Sequence, residues 1–168
     1  MPSATAEIRN DSSTSGPSSI LGLVAWVALS FSASLSGVLF SPGEWYASLQ
    51  KPAFNPPGWI FGPVWTTLYF MMGVSAWLVW RSGGFSQAAR ALTLFVVQLA
   101  LNAVWTPVFF GLHNLGGAFC VIVALWCAIA LTLGAFWKHN RLAAAMLMPY
   151  LLWVSFATLL NFTLWRLN

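Results

Sequence analysis

Long apolar runs, each about the length of a bilayer crossing, alternate with short polar punctuation along the whole chain. A helix needs about 20 apolar residues to span the hydrocarbon core. Five segments meet that length: Ile20–Phe40, Trp59–Trp80, Ala91–Gly111, Leu115–Trp137 and Leu142–Trp165. Continuous runs of this kind predict helices, whereas a membrane barrel would show shorter alternating strands. Three of the connections are short, so consecutive helices should be antiparallel neighbours. The expected fold is all-α, an integral membrane bundle of five transmembrane helices over residues 20–168. Residues 1–19 are polar, with Ser12, Ser13, Ser15, Ser18 and Ser19 close together, and read as a disordered tail. That tail is not basic and the first apolar run is long, so Ile20–Phe40 reads as a retained span rather than a cleaved leader.

Composition sharpens this picture. Of 168 residues, 59% are hydrophobic and 6% are charged, against about 25% charged in soluble domains. The charges that exist lie between the runs. Arg9, Arg81, Arg90, Lys138 and Arg141 fall on one side of a five-span chain, Lys51 and Arg166 on the other. By the positive-inside rule this predicts an inner N-terminus and an outer C-terminus. The net charge of +4 is scattered and forms no patch suited to nucleic acid. No Asp, Glu, Lys or Arg lies mid-span, which argues against an ion-coupled pump. His113 and His139 sit in loops without a Cys or carboxylate cluster, so no metal site is expected. No nucleophile–base set shares a face, which disfavours a hydrolase. Cys120 and Cys127, two turns apart on one helix, are too distant for a disulfide and read as small packing residues.

What chemistry remains is aromatic. The chain holds 11 Trp. Trp45, Trp59, Trp77, Trp80, Trp137 and Trp165 lie near span ends, as an interfacial belt does. Trp65, Trp126 and Trp153 lie deeper, where an indole N–H needs a partner or a cavity. Helical spacing places Trp65, Tyr69, Met72 and Ala76 on one face of the second span. Gln98, Asn102, Trp105 and Phe109 share a face of the third. Tyr150, Trp153, Ala157, Leu160 and Leu164 share one of the fifth. Facing each other, these stripes would line an aromatic cavity for a large, flat, mostly apolar ligand. Ordinary packing is the alternative, with Gln98 and Asn102 merely bonding adjacent helices. In the fourth span Gly116, Cys120, Ala124, Ala128 and Thr132 form a small-residue stripe, suited to contact within the bundle or to a dimer seam. The first connection, Ser41–Gly58, leads into Pro63 and also contains Pro52, Pro56 and Pro57, which stiffen it. It reads as a rigid connector or as a lid.

Three stretches, WYASLQKPAFNPPGWIFGPVWTTLYF, QLALNAVWTPVFFG and MPYLLWVSFATLLNFTLWRLN, closely resemble the TspO/MBR family of translocator proteins, once called peripheral-type benzodiazepine receptors. The resemblance covers residues 20–168 with matching order and spacing. It implies a five-helix bundle, usually homodimeric, that binds porphyrins, haem and in many members cholesterol or drug-like ligands, with the pocket under the first loop. It implies no cofactor beyond porphyrin or haem as ligand. By motif, Trp65 and Trp153 match the tryptophans implicated in porphyrin binding and in light- and oxygen-dependent porphyrin breakdown. Asn102 and Ala157 match pocket positions, with Tyr69, Trp59 and Trp105 as nearby aromatics. Phe54, Trp59 and Leu160 complete the expected lining, the first two beneath a lid. The sterol-recognition pattern ends here in Phe162 and Arg166, with Phe162 where the pattern has Tyr. Gly117 stands where some members have Trp, and Phe54 where many have Trp.

Overall fold

The computed structural model describes residues 17–168. Most of the expected tail thus lies outside the described residues, and α1 begins at Pro17, slightly before the boundary drawn from composition. The first span is not one continuous helix. It consists of α1 (Pro17–Ser32) and a short α2 (Leu35–Leu39), separated at Ala33 and Ser34. Serine explains the break. Hydroxyls of Ser30, Ser32, Ser34 and Ser36 donate back to the carbonyls of Trp26, Leu29, Phe31 and Ala33, and such back-bonding competes with the helical ladder.

The first connection is also more structured than its prolines suggested. It carries a one-turn helix α3 (Glu44–Ser48) and a 3-10 turn over Gly58–Ile60. From there α4 (Phe61–Thr106) runs for 46 residues. A straight helix would place residues 69 and 102 about 50 Å apart. Their side chains are nevertheless hydrogen-bonded at 2.7 Å, so α4 folds back on itself. Gly84, with φ +61° and ψ −167°, is the break, in a region that only glycine occupies readily. The expected loop between the second and third spans is therefore helical almost to its midpoint on both sides. The two arms, residues 61–83 and 85–106, are two crossings.

A π-helical turn, Pro107–Gly111, ends the second arm. Then come α5 (Leu115–His139) and α6 (Arg141–Leu167). Asn114 and Asn140 cap these helices by accepting from the amides of Gly117 and Ala143, which satisfies otherwise free N-terminal donors. Lys138 and His139 close the last turn of α5, where positive charge complements the helix dipole. The chain is a multi-pass membrane protein of five spans.

The core lies between both arms of α4 and helices α5 and α6. Phe95 stacks on Phe136 at 6.0 Å, and both are fully buried. The first span packs chiefly on α4. Gly73 permits that crossing, since a Cβ there would sit 2.5 Å from the Val27 Cα. Ser75 donates to the Ala143 carbonyl at 2.7 Å, tying α4 to α6. Trp77 donates to the Ser19 carbonyl at 2.9 Å and lies under the Arg81 guanidinium. On α5 the small-residue stripe divides. Ala128 and Thr132 are buried, Gly116 abuts the Trp165 ring, and Cys120 and Ala124 are exposed. Both cysteines face outward, so they do not pack inside the chain as expected.

Candidate functional site

A cavity of about 860 Å³ opens beneath the first connection. Each of the three aromatic stripes contributes to it. Trp65 and Tyr69 come from the first arm of α4, Asn102, Trp105 and Phe109 from its second arm and the π turn. Trp153, Ala157, Leu160 and Leu164 come from α6. Leu160 and Leu164 pack with Phe109 and Leu115 into a small cluster at this end of the bundle.

The rings are fixed by one another. Trp65 stacks on Tyr69 at 5.4 Å and meets Tyr150 edge-on at 6.2 Å. Trp105 lies 4.8 Å from Phe109 and donates its indole N–H to Asn161 at 3.1 Å. Asn161 in turn donates to the Leu115 carbonyl at 3.0 Å, joining the second arm, α5 and α6. Trp153 packs against Phe61 and Phe156, and its indole N–H is buried without an acceptor. Deep in the site Tyr69 donates to Asn102, Asn102 to Tyr150, and Tyr150 to Gln98. The two amides thus do bond neighbouring helices, and Asn102 also reaches the cavity wall. The packing and cavity alternatives prove compatible.

The proline loop forms the roof. Lys51, Asn55, Pro56, Pro57 and Gly58 line the cavity from above. Asn55 is held by Tyr46, whose hydroxyl donates to Asn55 Oδ1 at 3.2 Å, and by a turn closed from its amide to the Pro52 carbonyl. Tyr46 rests against Phe109 and Phe110, and burial raises its pKa while the bond to Asn55 opposes the rise. Trp45 stacks on His113 at 4.2 Å. At the far side Asn168 accepts from the Gln50 amide and donates to the Gln50 carbonyl. Lys51 donates to the carbonyls of Ala47 and Leu49 and lies over the Tyr46 ring. Among the described residues it is the one charged side chain in the lining.

Two residues expected in the lining, Trp59 and Phe54, lie elsewhere. Trp59 is 75% exposed and points away from the cavity, so it is an outer anchor rather than part of the roof's underside. Phe54 is largely exposed and touches the site only through Phe156, 6.3 Å away. The sterol-pattern residues Phe162 and Arg166 lie outside the lining, where Phe162 packs with Phe119 and Trp165. Trp126, whose deep indole N–H needed a partner or a cavity, finds the partner: it donates to Ser155 at 2.7 Å on the exposed side of α5. Conversely, sequence reasoning missed Phe31, Phe40, Phe61, Phe110 and Asn161, which all line the cavity. Asn161 was discoverable as a neutral amide one turn beyond Ala157. The wall from the first span was hidden by reading that span as unbroken.

These features define a polytopic helical membrane protein with an aromatic, sparsely polar cavity among the described residues. Its cavity offers aromatic surfaces and hydrogen-bonding groups. Residues 20–166 match the TspO/MBR family, and the chain belongs to it. It is 44% identical over 140 residues to protein CrtK of Rhodobacter capsulatus, covering 81% of this chain and 86% of that one. To the tryptophan-rich sensory protein of Cereibacter sphaeroides it is 42% identical over 133 residues, covering 79% and 82%. To the translocator protein of Homo sapiens it is 46% identical over 137 residues, covering 79% and 81%.

Proposed function

We propose that this protein is a membrane receptor and carrier for porphyrins, protoporphyrin IX and haem foremost. The observation that carries the proposal is the cavity whose walls hold Trp65, Tyr69, Trp105 and Trp153 under a roof with Lys51. Its volume of about 860 Å³ falls within the roughly 300–1,000 Å³ typical of small-molecule sites. Aromatic walls suit a flat macrocycle, and each stack contributes about 1 kcal/mol beyond area burial. Propionates would remain at the roof, beside Lys51. The words "translocator" and "sensory" in the names of two relatives fit transport or signalling of such a ligand. An uncoupled, passive route agrees with spans that carry no mid-membrane charge. A homodimer belongs to the same reading, with the exposed Cys120, Ala124 and Cys127 of α5 giving close approach.

Sterols are a weaker expectation, because Phe162 supplies no hydroxyl and sits outside the cavity. A second reading, light- and oxygen-dependent porphyrin breakdown, draws on Trp65 and Trp153 standing in one wall system as oxidisable rings. Titration of the purified protein with protoporphyrin IX, followed by tryptophan fluorescence, tests the first reading. Saturable quenching is expected, and its absence would overturn binding. Illumination of the complex tests the second. A new bilin-like absorbance supports it, whereas bleaching equal to that of free porphyrin ends it.

A further inference from the structure

Two polar residues of the cavity lining, Tyr69 and Asn102, lead into a buried, directional hydrogen-bonded chain. Tyr69 donates to Asn102 Oδ1 at 2.7 Å, Asn102 Nδ2 donates to Tyr150 at 3.1 Å, and Tyr150 donates to Gln98 Oε1 at 3.0 Å. Run in this direction, the chain ends on Gln98 Nε2, which is buried and has no acceptor. Gln98 is only 1% exposed. A buried amide donor left unpaired is costly and uncommon.

The same heavy-atom positions permit the opposite direction. A half-turn of a side-chain amide exchanges its oxygen and nitrogen with little change of shape, and hydroxyl hydrogens rotate freely. With both amides turned, Gln98 donates to Tyr150, Tyr150 to Asn102, and Asn102 to Tyr69. All three bonds survive. The spare donor moves from a dry position to the Tyr69 hydroxyl, which belongs to a cavity-lining residue. Gln98 then keeps one unpaired N–H in place of two, together with an unpaired carbonyl, which interiors tolerate better than an orphaned N–H.

We propose that the resting chain runs from Gln98 to Tyr69, so that Tyr69 presents an O–H donor at the cavity floor and selects ligands whose buried edge carries a hydrogen-bond acceptor. Gln98 is then a positioning residue that sets the chain's direction without touching the ligand. The inference rests on the porphyrin reading for its choice of ligand. Lys51 at the roof orients the propionate edge upward, so the opposite edge of the macrocycle meets Tyr69.

Two porphyrins matched in size make the test. Mesoporphyrin IX carries two ethyl groups where diacetyldeuteroporphyrin IX carries two acetyl groups. The wild type should bind the acetyl compound about fivefold more tightly, the worth of one neutral hydrogen bond. In Tyr69→Phe the ratio should fall to about one. A ratio near one in the wild type, or a preference that survives Tyr69→Phe, overturns the proposal. If neither porphyrin binds, the porphyrin reading fails, and a ligand-free measurement still decides the chain's direction. The tyrosine Raman doublet, taken as wild type minus Tyr69→Phe, should show a phenol that accepts a hydrogen bond. In the Gln98→Met background its intensity ratio should move toward the donor type. A donor-only ratio in the wild type overturns the proposal whether or not Gln98→Met folds.

Discussion

Gly73→Ala should loosen the first span, although the change adds a single methyl group. A Cβ at residue 73 would lie 2.5 Å from the Val27 Cα and 2.9 Å from its amide nitrogen and Cγ2. Ordinary van der Waals contact begins near 3.4 Å, so the helices must separate by about 1 Å. The nearest atoms are backbone, so no rotamer change relieves the clash. Overpacking of this kind costs about 1–3 kcal/mol, and widening the crossing also forfeits dispersion contacts. The first span packs chiefly on α4, so loosening that crossing weakens its main attachment. It also supplies Phe31, Ala33 and Phe40 to the cavity wall, so ligand affinity should fall together with stability. Equilibrium unfolding in mixed micelles gives the first quantity, and fluorescence titration with protoporphyrin IX gives the second. Gly134→Ala is the matched control. Nothing lies within 4 Å of its added methyl, and alanine in mid-helix should stabilise by up to about 1 kcal/mol. Equal stability of Gly73→Ala and wild type would refute the close-crossing argument.

Trp65→Phe and Trp153→Phe should each weaken protoporphyrin IX binding several-fold, since each removes part of a stack worth about 1 kcal/mol; unchanged affinity in both removes these residues from the site. Tyr46→Phe loses the 3.2 Å bond to Asn55 and should speed ligand release in stopped-flow experiments by about two- to tenfold, the worth of one hydrogen bond. Because burial raises the Tyr46 pKa above its usual value of 10.0, its contribution to stability is complete below pH 10 and declines as pH rises beyond it. Alkaline unfolding of Tyr46→Phe should lack that component. Asn168→Ala removes both bonds to Gln50 and should increase hydrogen exchange in residues 49–58 while leaving exchange in α5 unchanged.

The legible parts of this fold were those that periodicity controls. Apolar run length located the five crossings, and 3.6-residue spacing brought Trp65, Tyr69, Asn102, Trp105, Trp153 and Ala157 to one cavity. Spacing cannot report the direction in which an exposed ring leaves a loop. Trp59 and Phe54 belong to the proline connection, where no helical face fixes orientation, and both turned outward. Backbone competition was equally hidden, because serine is compatible with a helix until several hydroxyls bond back at once, as they do from Ser30 to Ser36. The Gly84 reversal was read as an ordinary loop, since a single positive φ suffices to fold two long helices together. Asn161 was visible as an amide in an apolar run, but its bond to Trp105 joins positions 56 residues apart, a pairing that only the packed bundle defines.

The polar groups of the cavity are few, and their placement gives it a direction. Lys51 stands at the roof, where its ammonium bonds the carbonyls of Ala47 and Leu49. At the floor stand uncharged Tyr69 and Asn102, backed by buried Tyr150 and Gln98, where a charge would carry a desolvation cost of several kcal/mol. A symmetric apolar ligand gains nothing from this polarity and could enter either way up. A ligand with acidic groups on one edge gains at the roof and would lose heavily if inverted, because a carboxylate at the floor meets only neutral partners. Orientation is thus selected chiefly by the penalty for the wrong pose, as specificity often is. On the proposed porphyrin reading, a macrocycle with its acids on one side should therefore be preferred to one with acids all round. Uroporphyrin, which carries carboxylates on every edge, should bind at least tenfold more weakly than protoporphyrin IX. Equal affinity for the two would show that the ligand never reaches the floor, and that Trp65 and Trp153 bind it from the rim.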